Sequence, residues 1–223
     1  MNGAAALPAA IVFAGSGTVS AAVRNRLPAE ADVIAADSGL AVATALGVPV
    51  DHLVGDLDSV DPAAVQAAEA AGTTVDRHPV EKDATDLELA LDAARARGAR
   101  RVVVVDGGGD RLDHLLGNVL LLSSAVYAAT DIEAFSGDAQ IAVARGGGAA
   151  VTITGEPGSL VTLLPVGGAA RGIVTDGLRY PLHAEDLAPG TTRGVSNELL
   201  GDAGSVRLAD GTLLVVQPFG GAR

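Results

Sequence analysis

The strongest constraint on the fold is a change of rhythm partway along the chain. Up to about residue 136, short β-prone runs alternate with Ala- and Leu-rich stretches of helical spacing; beyond Gly137 the helical stretches stop. The β-prone runs of the first part are residues 10–14, 33–36, 52–54, 73–75, 101–105 and 132–135, and the helical stretches are 20–26, 62–71, 86–97 and 112–128. Strand–helix alternation of this kind predicts an α/β unit, a mostly parallel sheet flanked by helices. The run 102–105 is all Val with no polar alternation, as expected of a strand buried on both faces. The second part is Gly- and Thr-rich, with β-prone pieces at 140–144, 151–154, 159–164, 171–174, 206–209 and 212–216 and turn signals such as Glu156-Pro157-Gly158 and Asp210-Gly211. That texture predicts an all-β sandwich or barrel. Two domains are expected, residues 1–137 and 138–223.

Composition removes several classes of function. The chain carries 15 Lys plus Arg against 27 Asp plus Glu, a formal charge of −12, and has no Trp, three Phe and two Tyr. An acidic chain with so few rings lacks the basic patch and stacking platform of most nucleic-acid binders, so no nucleic-acid partner is expected. Without Cys there is no disulfide, thiolate metal site or thiol nucleophile, which points to a reducing compartment and a cytoplasmic location. The apolar opening run has no Lys or Arg ahead of it and passes directly into Gly15-Ser16-Gly17, which reads as a first strand and its turn rather than a signal peptide. No stretch reaches the ~18 uninterrupted apolar residues of a membrane helix, so no membrane association is expected.

In open α/β sheets ligands bind beyond the carboxyl ends of the strands, and there the acids are concentrated. The predicted strands lead into Asp37-Ser38-Gly39, Gly55-Asp56-Leu57-Asp58-Ser59, Glu81-Lys82-Asp83-Ala84-Thr85-Asp86 and Asp106-Gly107-Gly108-Gly109-Asp110-Arg111-Leu112-Asp113-His114. In a parallel sheet these loops share one edge, and carboxylates converging there repel one another unless a cation neutralises them. Hard oxygen donors select Mg²⁺ or Ca²⁺, and Mg²⁺ commonly joins one or two carboxylates to substrate phosphates. The pattern predicts a Mg-nucleotide site. Local salt bridging does not account for the acids, because no Lys or Arg occurs between Arg26 and Arg77.

Ordinary structural roles compete for some of these residues. Asp and Gly after a strand are common turn formers, Thr85 and Glu88 fit a helix-capping box, and Asp51 and Asp61 read as turn or helix-start residues. His52, His78 and His183 have no partner at metal-ligand spacing. The chain has one Lys among its basic residues, Lys82, set between Glu81 and Asp83; where Arg serves otherwise, a retained compact ammonium suits a phosphate. Gly15-Ser16-Gly17 and Gly107-Gly108-Gly109 are Gly-rich turns whose N–H groups could cradle phosphate. Neither completes a P-loop or a dinucleotide fingerprint.

Six short motifs in order resemble those of the thiamine pyrophosphokinase (thiamine diphosphokinase) family, over nearly the whole chain. They are Asp37-Ser38-Gly39, Gly55-Asp56-Leu57-Asp58-Ser59, Lys82-Asp83-Ala84-Thr85-Asp86-Leu87-Glu88, and Gly109-Asp110-Arg111-Leu112-Asp113-His114 with Asn118, then Gly177-Leu178-Arg179-Tyr180-Pro181-Leu182 and Val195-Ser196-Asn197-Glu198. Ser38 stands where Gly is commoner, Asp110 where a second Gly often precedes the Arg, and Trp is absent.

The resemblance implies transfer of the terminal diphosphate of ATP to the hydroxyl of thiamine, giving thiamine diphosphate and AMP. It implies Mg²⁺ on Asp56, Asp58 and Asp86. Lys82, Asp83, Arg111 and Asp113 would position phosphates and nucleotide, with Asp37, Thr85, His114 and Asn118 in the same crevice. Ser196, Asn197 and Tyr180 would meet thiamine, and the protein would be a homodimer with shared active sites. Asp83 or Asp86 could accept the hydroxyl proton. A diphosphokinase for another small alcohol such as a pterin, or a non-catalytic nucleotide or thiamine sensor, would keep the same loops.

Overall fold

The computed structural model describes residues 8–108 and 111–218. The first seven residues of the opening apolar run, and Gly109-Asp110 of the fourth acidic loop, lie outside the described residues. The chain divides into two compact units, one of Met1–Asn118 with Ala129–Gly137 and the other of Val119–Ala128 with Asp138–Arg223.

The first unit is built on six strands: β1 (Ala9–Ala14), β2 (Asp32–Ala36), β3 (His52–Gly55), β4 (Thr74–Arg77), β5 (Arg101–Asp106) and β6 (Asp131–Ser136). All five pairings are parallel, in the order β6-β5-β1-β2-β3-β4. The Val run of β5 is fully buried, as its lack of alternation predicts. The chain runs outward from β1 to β4 and then returns to the other side of β1 with β5. That reversal is a topological switch point, where adjacent loops part and leave a crevice.

Local chemistry sets the helices. Asp61 caps α2 (Pro62–Ala70), its Oδ1 accepting from Ala63 N at 2.9 Å, with Pro62 in the first turn. Thr85 caps α3 (Asp86–Ala96) by accepting from Glu88 N at 3.3 Å. Asp51 binds Val33 N at 2.9 Å, a turn role as expected. The first helical stretch is a 3-10 helix, Ala21–Arg26, rather than an α-helix.

Residues Gly39–Ala45 form a further helix, α1, which sequence periodicity does not reveal because it is short and apolar, buries Leu40, Val42 and Ala43 and so shows no polar face. Gly39 lets it lie against β1, since a Cβ there would sit 2.1 Å from Phe13 O. The stretch expected to be helical over 112–128 breaks into α4 (Leu112–Leu122) and a 3-10 turn at Ala125–Tyr127. Ser123 Oγ donates back to Leu120 O and Ser124 Oγ accepts from Val126 N, side-chain bonds that compete with helix continuation. Arg145 donates to the Leu122, Ser123 and Ser124 carbonyls freed by the break.

The second unit holds two antiparallel sheets. One has the order β12-β9-β14-β7 and consists of β7 (Ala139–Arg145), β9 (Leu160–Pro165), β12 (Asn197–Glu198) and β14 (Thr212–Pro218). The other has the order β11-β10-β13-β8 and consists of β8 (Val151–Thr154), β10 (Ala170–Asp176), β11 (His183–Leu187) and β13 (Ala203–Arg207). Ile153, Ile173 and Val206 of one sheet and Val161, Leu163 and Leu213 of the other share one buried cluster, which makes this unit a β-sandwich. β11 and β12 carry little apolar alternation and were not predicted. Among the described residues no helix is long and apolar enough to cross a membrane.

Candidate active site

The carboxyl ends of β1, β2, β3 and β5 open into a cavity of about 460 Å³. Asp37, Asp56, Asp58, Thr85, Asp86, Arg111, His114 and Asn118, all singled out in the sequence, line it. Asp83 and Asp113 do not line it: both are exposed, and Asp113 pairs with Arg111 at 2.5 Å. That pairing holds the Asp113 carboxyl below its ordinary range.

Asp37, Asp56 and Asp58 each bring a carboxylate oxygen within 4.8 Å of the other two. Backbone conformation achieves this. Asp37 and Leu57 both adopt left-handed conformations, with φ 46° and 62°, which cost non-Gly residues energy and cluster at functional sites. Gly55 (φ 147°) permits the approach of the loops: a Cβ there would lie 3.0 Å from Asp86 Oδ1 and 3.2 Å from Asp37 Cβ. Asp58 N donates to Asp56 Oδ1 at 3.3 Å and Ser59 Oγ to Asp58 Oδ1 at 2.9 Å, which orients the pair.

Asp37 is buried, and its Oδ1 has no hydrogen-bond partner. Burial pushes its pKa up, the Ser38 N–H bond offsets part of that rise, and the charges of Asp86, Asp56 and Asp58 add to it. A buried orphan oxygen among hard donors fits a divalent oxygen-seeking cation.

Because the folded state holds this proton more tightly than the unfolded chain, Asp37 favours folding at low pH. That contribution is lost as pH rises through the raised pKa. Asp37→Asn in the cation-free protein should therefore raise Tm at pH 7 by roughly 2–4 °C, about 1 kcal/mol at this size, and Asn also tolerates the left-handed backbone. Thermal melts should show the gain shrinking as pH is lowered toward 4. A lower Tm at pH 7 would contradict the account.

Lys82 joins the cluster from the third loop, its Nζ 2.5 Å from Asp56 Oδ2 and 3.0 Å from Asp86 Oδ1. The Lys82 bond holds the Asp56 carboxyl below its ordinary range. Burial works against the Lys82 charge, but its bonds to Asp56 and Asp86 outweigh that and raise its pKa.

Asp106, not among the site residues expected from the sequence, belongs to the site. It is buried at the end of β5 and lines the cavity, with Oδ1 accepting from Gly108 N at 2.9 Å and Oδ2 from Asn118 Nδ2 at 3.2 Å. It thereby ties α4, which carries His114 and Asn118, to the sheet. Gly15 (φ 68°) makes room for it, since a Cβ at that position would fall 2.1 Å from Asp106 Oδ1. The signal was present, because Asp106 opens the fourth acidic loop.

The remaining predicted residues belong to the second unit. Tyr180 is 52% exposed, and Ser196 is exposed with φ 57°. Asn197 is buried; its Oδ1 accepts from Tyr180 N and Glu198 N, and its Nδ2 donates to Tyr180 O. Its amide therefore holds the Tyr180 segment in place.

Family models match two segments of the chain. Residues 24–135 match the thiamin pyrophosphokinase catalytic domain, and residues 150–213 match the thiamin pyrophosphokinase vitamin B1 binding domain. The chain is 27% identical over 184 residues to the thiamine pyrophosphokinase of Bacillus subtilis, covering 82% of this chain and 86% of that protein. The solved structure of Bacillus subtilis thiamine pyrophosphokinase superposes with a TM-score of 0.80 at 25% identity, covering 95% of this chain and 99% of that one. A structure of thiamin pyrophosphokinase from Geobacillus thermodenitrificans gives 0.77 at 28% identity, with 97% and 99% covered. With both domain models matched in order, this chain belongs to the thiamin pyrophosphokinase family.

Proposed function

We propose that this protein transfers the terminal diphosphate of ATP to the hydroxyl of thiamine, giving thiamine diphosphate and AMP, with Mg²⁺ as the required cation. The observation that carries this reading is the convergence of Asp37, Asp56 and Asp58 on one cavity in a chain that matches both domains of the family. Residues 1–137 would bind ATP and Mg²⁺, and residues 138–223 thiamine.

Asp56 and Asp58 with Asp37, the three whose oxygens converge, would hold the ion, with Asp86 beside them. When bound, Mg²⁺ neutralises phosphate charge and stabilises the charge that develops on the departing AMP. The thiamine oxygen attacks the β-phosphorus, the bond from that phosphorus to the α,β-bridging oxygen breaks, and AMP leaves with the bond's electron pair. Of the two carboxylates suited to take the hydroxyl proton, Asp86 lines the cavity and Asp83 faces solvent, which favours Asp86. Arg111, partly engaged by Asp113, is placed to meet phosphate oxygens. The transfer demands positioning and charge stabilisation more than covalent help, so this equipment is sufficient.

Pure protein with ATP, Mg²⁺ and thiamine should release AMP and thiamine diphosphate in equal amounts. Release of neither would falsify the assignment, and AMP release stimulated by a pterin but not by thiamine would move it to another alcohol.

We also place the protein in the cytoplasm, in keeping with its lack of Cys, and propose that it works as a homodimer with shared sites. In support, α4 presents Leu112, Leu116 and Leu120, each more than half exposed, along one stripe at i, i+4 and i+8. Light scattering should find a dimer for the wild-type protein and a monomer for the double variant Leu116→Lys, Leu120→Lys. A monomeric wild type at micromolar concentration would remove the dimer.

A further inference from the structure

Two sets of contacts at the acidic cluster draw on the same carboxylate. Asp56 belongs to the group of three whose oxygens converge within 4.8 Å, and it also receives Lys82 Nζ at 2.5 Å. Lys82 extends the second set to Asp86 at 3.0 Å, and its side chain is only 14% exposed. Its charge is thus shielded from water and already spent on two carboxylates.

We infer that Lys82 is a resident counter-cation which a divalent ion displaces from Asp56 and Asp86, so that metal binding and release of the ammonium into the cavity are one event. The inference rests on the cation role given above to the Asp cluster, but not on the identity of the alcohol substrate.

The ammonium and a divalent ion compete for the same charge. Asp56 cannot satisfy a divalent ion and an ammonium at 2.5 Å equally well, because both seek the same anionic oxygens and repel each other at close range. Until a metal arrives, Lys82 partly neutralises the cluster and lowers the cost of gathering Asp56 and Asp86. Once displaced, it supplies a point charge for phosphate oxygens. The order of events follows: the phosphate-binding ammonium becomes available only with the metal in place, which disfavours binding of metal-free nucleotide. The position calls for a flexible ammonium rather than a guanidinium fork, in a chain that otherwise uses Arg wherever Lys could serve.

That single Lys also makes the test clean, because Lys82 is the chain's one side-chain primary amine. The first measurement uses wild-type protein without ATP or thiamine. The rate of Lys82 acylation by an N-hydroxysuccinimide ester, followed by peptide mass spectrometry, should rise several-fold on adding Mg²⁺ and saturate with the metal. An acylation rate unchanged at saturating Mg²⁺ would overturn the inference.

The second measurement titrates Mn²⁺ into nucleotide-free protein by electron paramagnetic resonance. Lys82→Gln should bind Mn²⁺ at least about tenfold more tightly than wild type, while turnover falls. Equal or weaker Mn²⁺ binding by Lys82→Gln would also overturn it. Both readouts are independent of product formation, so they can succeed where the thiamine assay fails, and fail where it succeeds.

Discussion

Asp58→Asn should lower turnover at least ~10²-fold, the loss expected when one well-placed electrostatic group is removed from an active site. The carboxylate is exposed in the second loop and shares its cluster with Asp37 and Asp56, so the substitution removes a negative charge without opening a core. Asn retains an oxygen for the Ser59 hydroxyl that Asp58 now accepts. Its melting temperature should therefore stay within a degree or two of wild type, because exposed substitutions away from core and caps rarely exceed ~0.5 kcal/mol. Steady-state assay of AMP release across a Mg²⁺ titration separates a weakened metal site from a damaged fold. Near wild-type turnover would take Asp58 out of the cation site.

The largest expected effect on stability belongs to Asn197→Ala. Three hydrogen bonds end on this buried amide, two involving the Tyr180 backbone and one the Glu198 N–H. Truncation strands those backbone groups, and each buried polar group left unpaired costs ~1–3 kcal/mol. A total of about 2–4 kcal/mol corresponds to a Tm lower by roughly 5–15 °C in a chain of this length. The Tyr180 segment should loosen at the same time. KM for thiamine should rise while KM for ATP changes little, because the cavity proposed for ATP draws its lining from the first unit. An unchanged Tm would show that water or a neighbouring group replaces the amide.

These two residues differ in how far the sequence could reveal them. Asp58 is legible because a strand followed by Gly-Asp-x-Asp places two acids at a strand's carboxyl end, a local pattern. Asn197 is visible as part of a motif, but its backbone clamp is not, because Tyr180 is 17 residues away and meets it only through the fold. Asp106 was passed over for a related reason. Its partners Gly108 and Asn118 are near in sequence, but its burial beside Gly15 follows from the pairing of β5 with β1. The helix α1 escaped notice because it is short and apolar, with no polar periodicity to mark it.

What the sequence determined by itself was set by neighbours along the chain. Strand–helix alternation, the caps at Asp61 and Thr85, the turn role of Asp51 and the shift to β texture after Gly137 all follow from period, propensity and side-chain bonds a few residues apart. The excess of acid over base could likewise be assigned to strand-end loops. Only the tertiary structure decided which acids meet. The order β6-β5-β1-β2-β3-β4 sets the ends of β1, β2, β3 and β5 around one cavity, left-handed backbone at Asp37 and Leu57 turns three carboxylates together, and Lys82 reaches across to Asp56. Strand order depends on pairing between distant segments, and no local pattern encodes it.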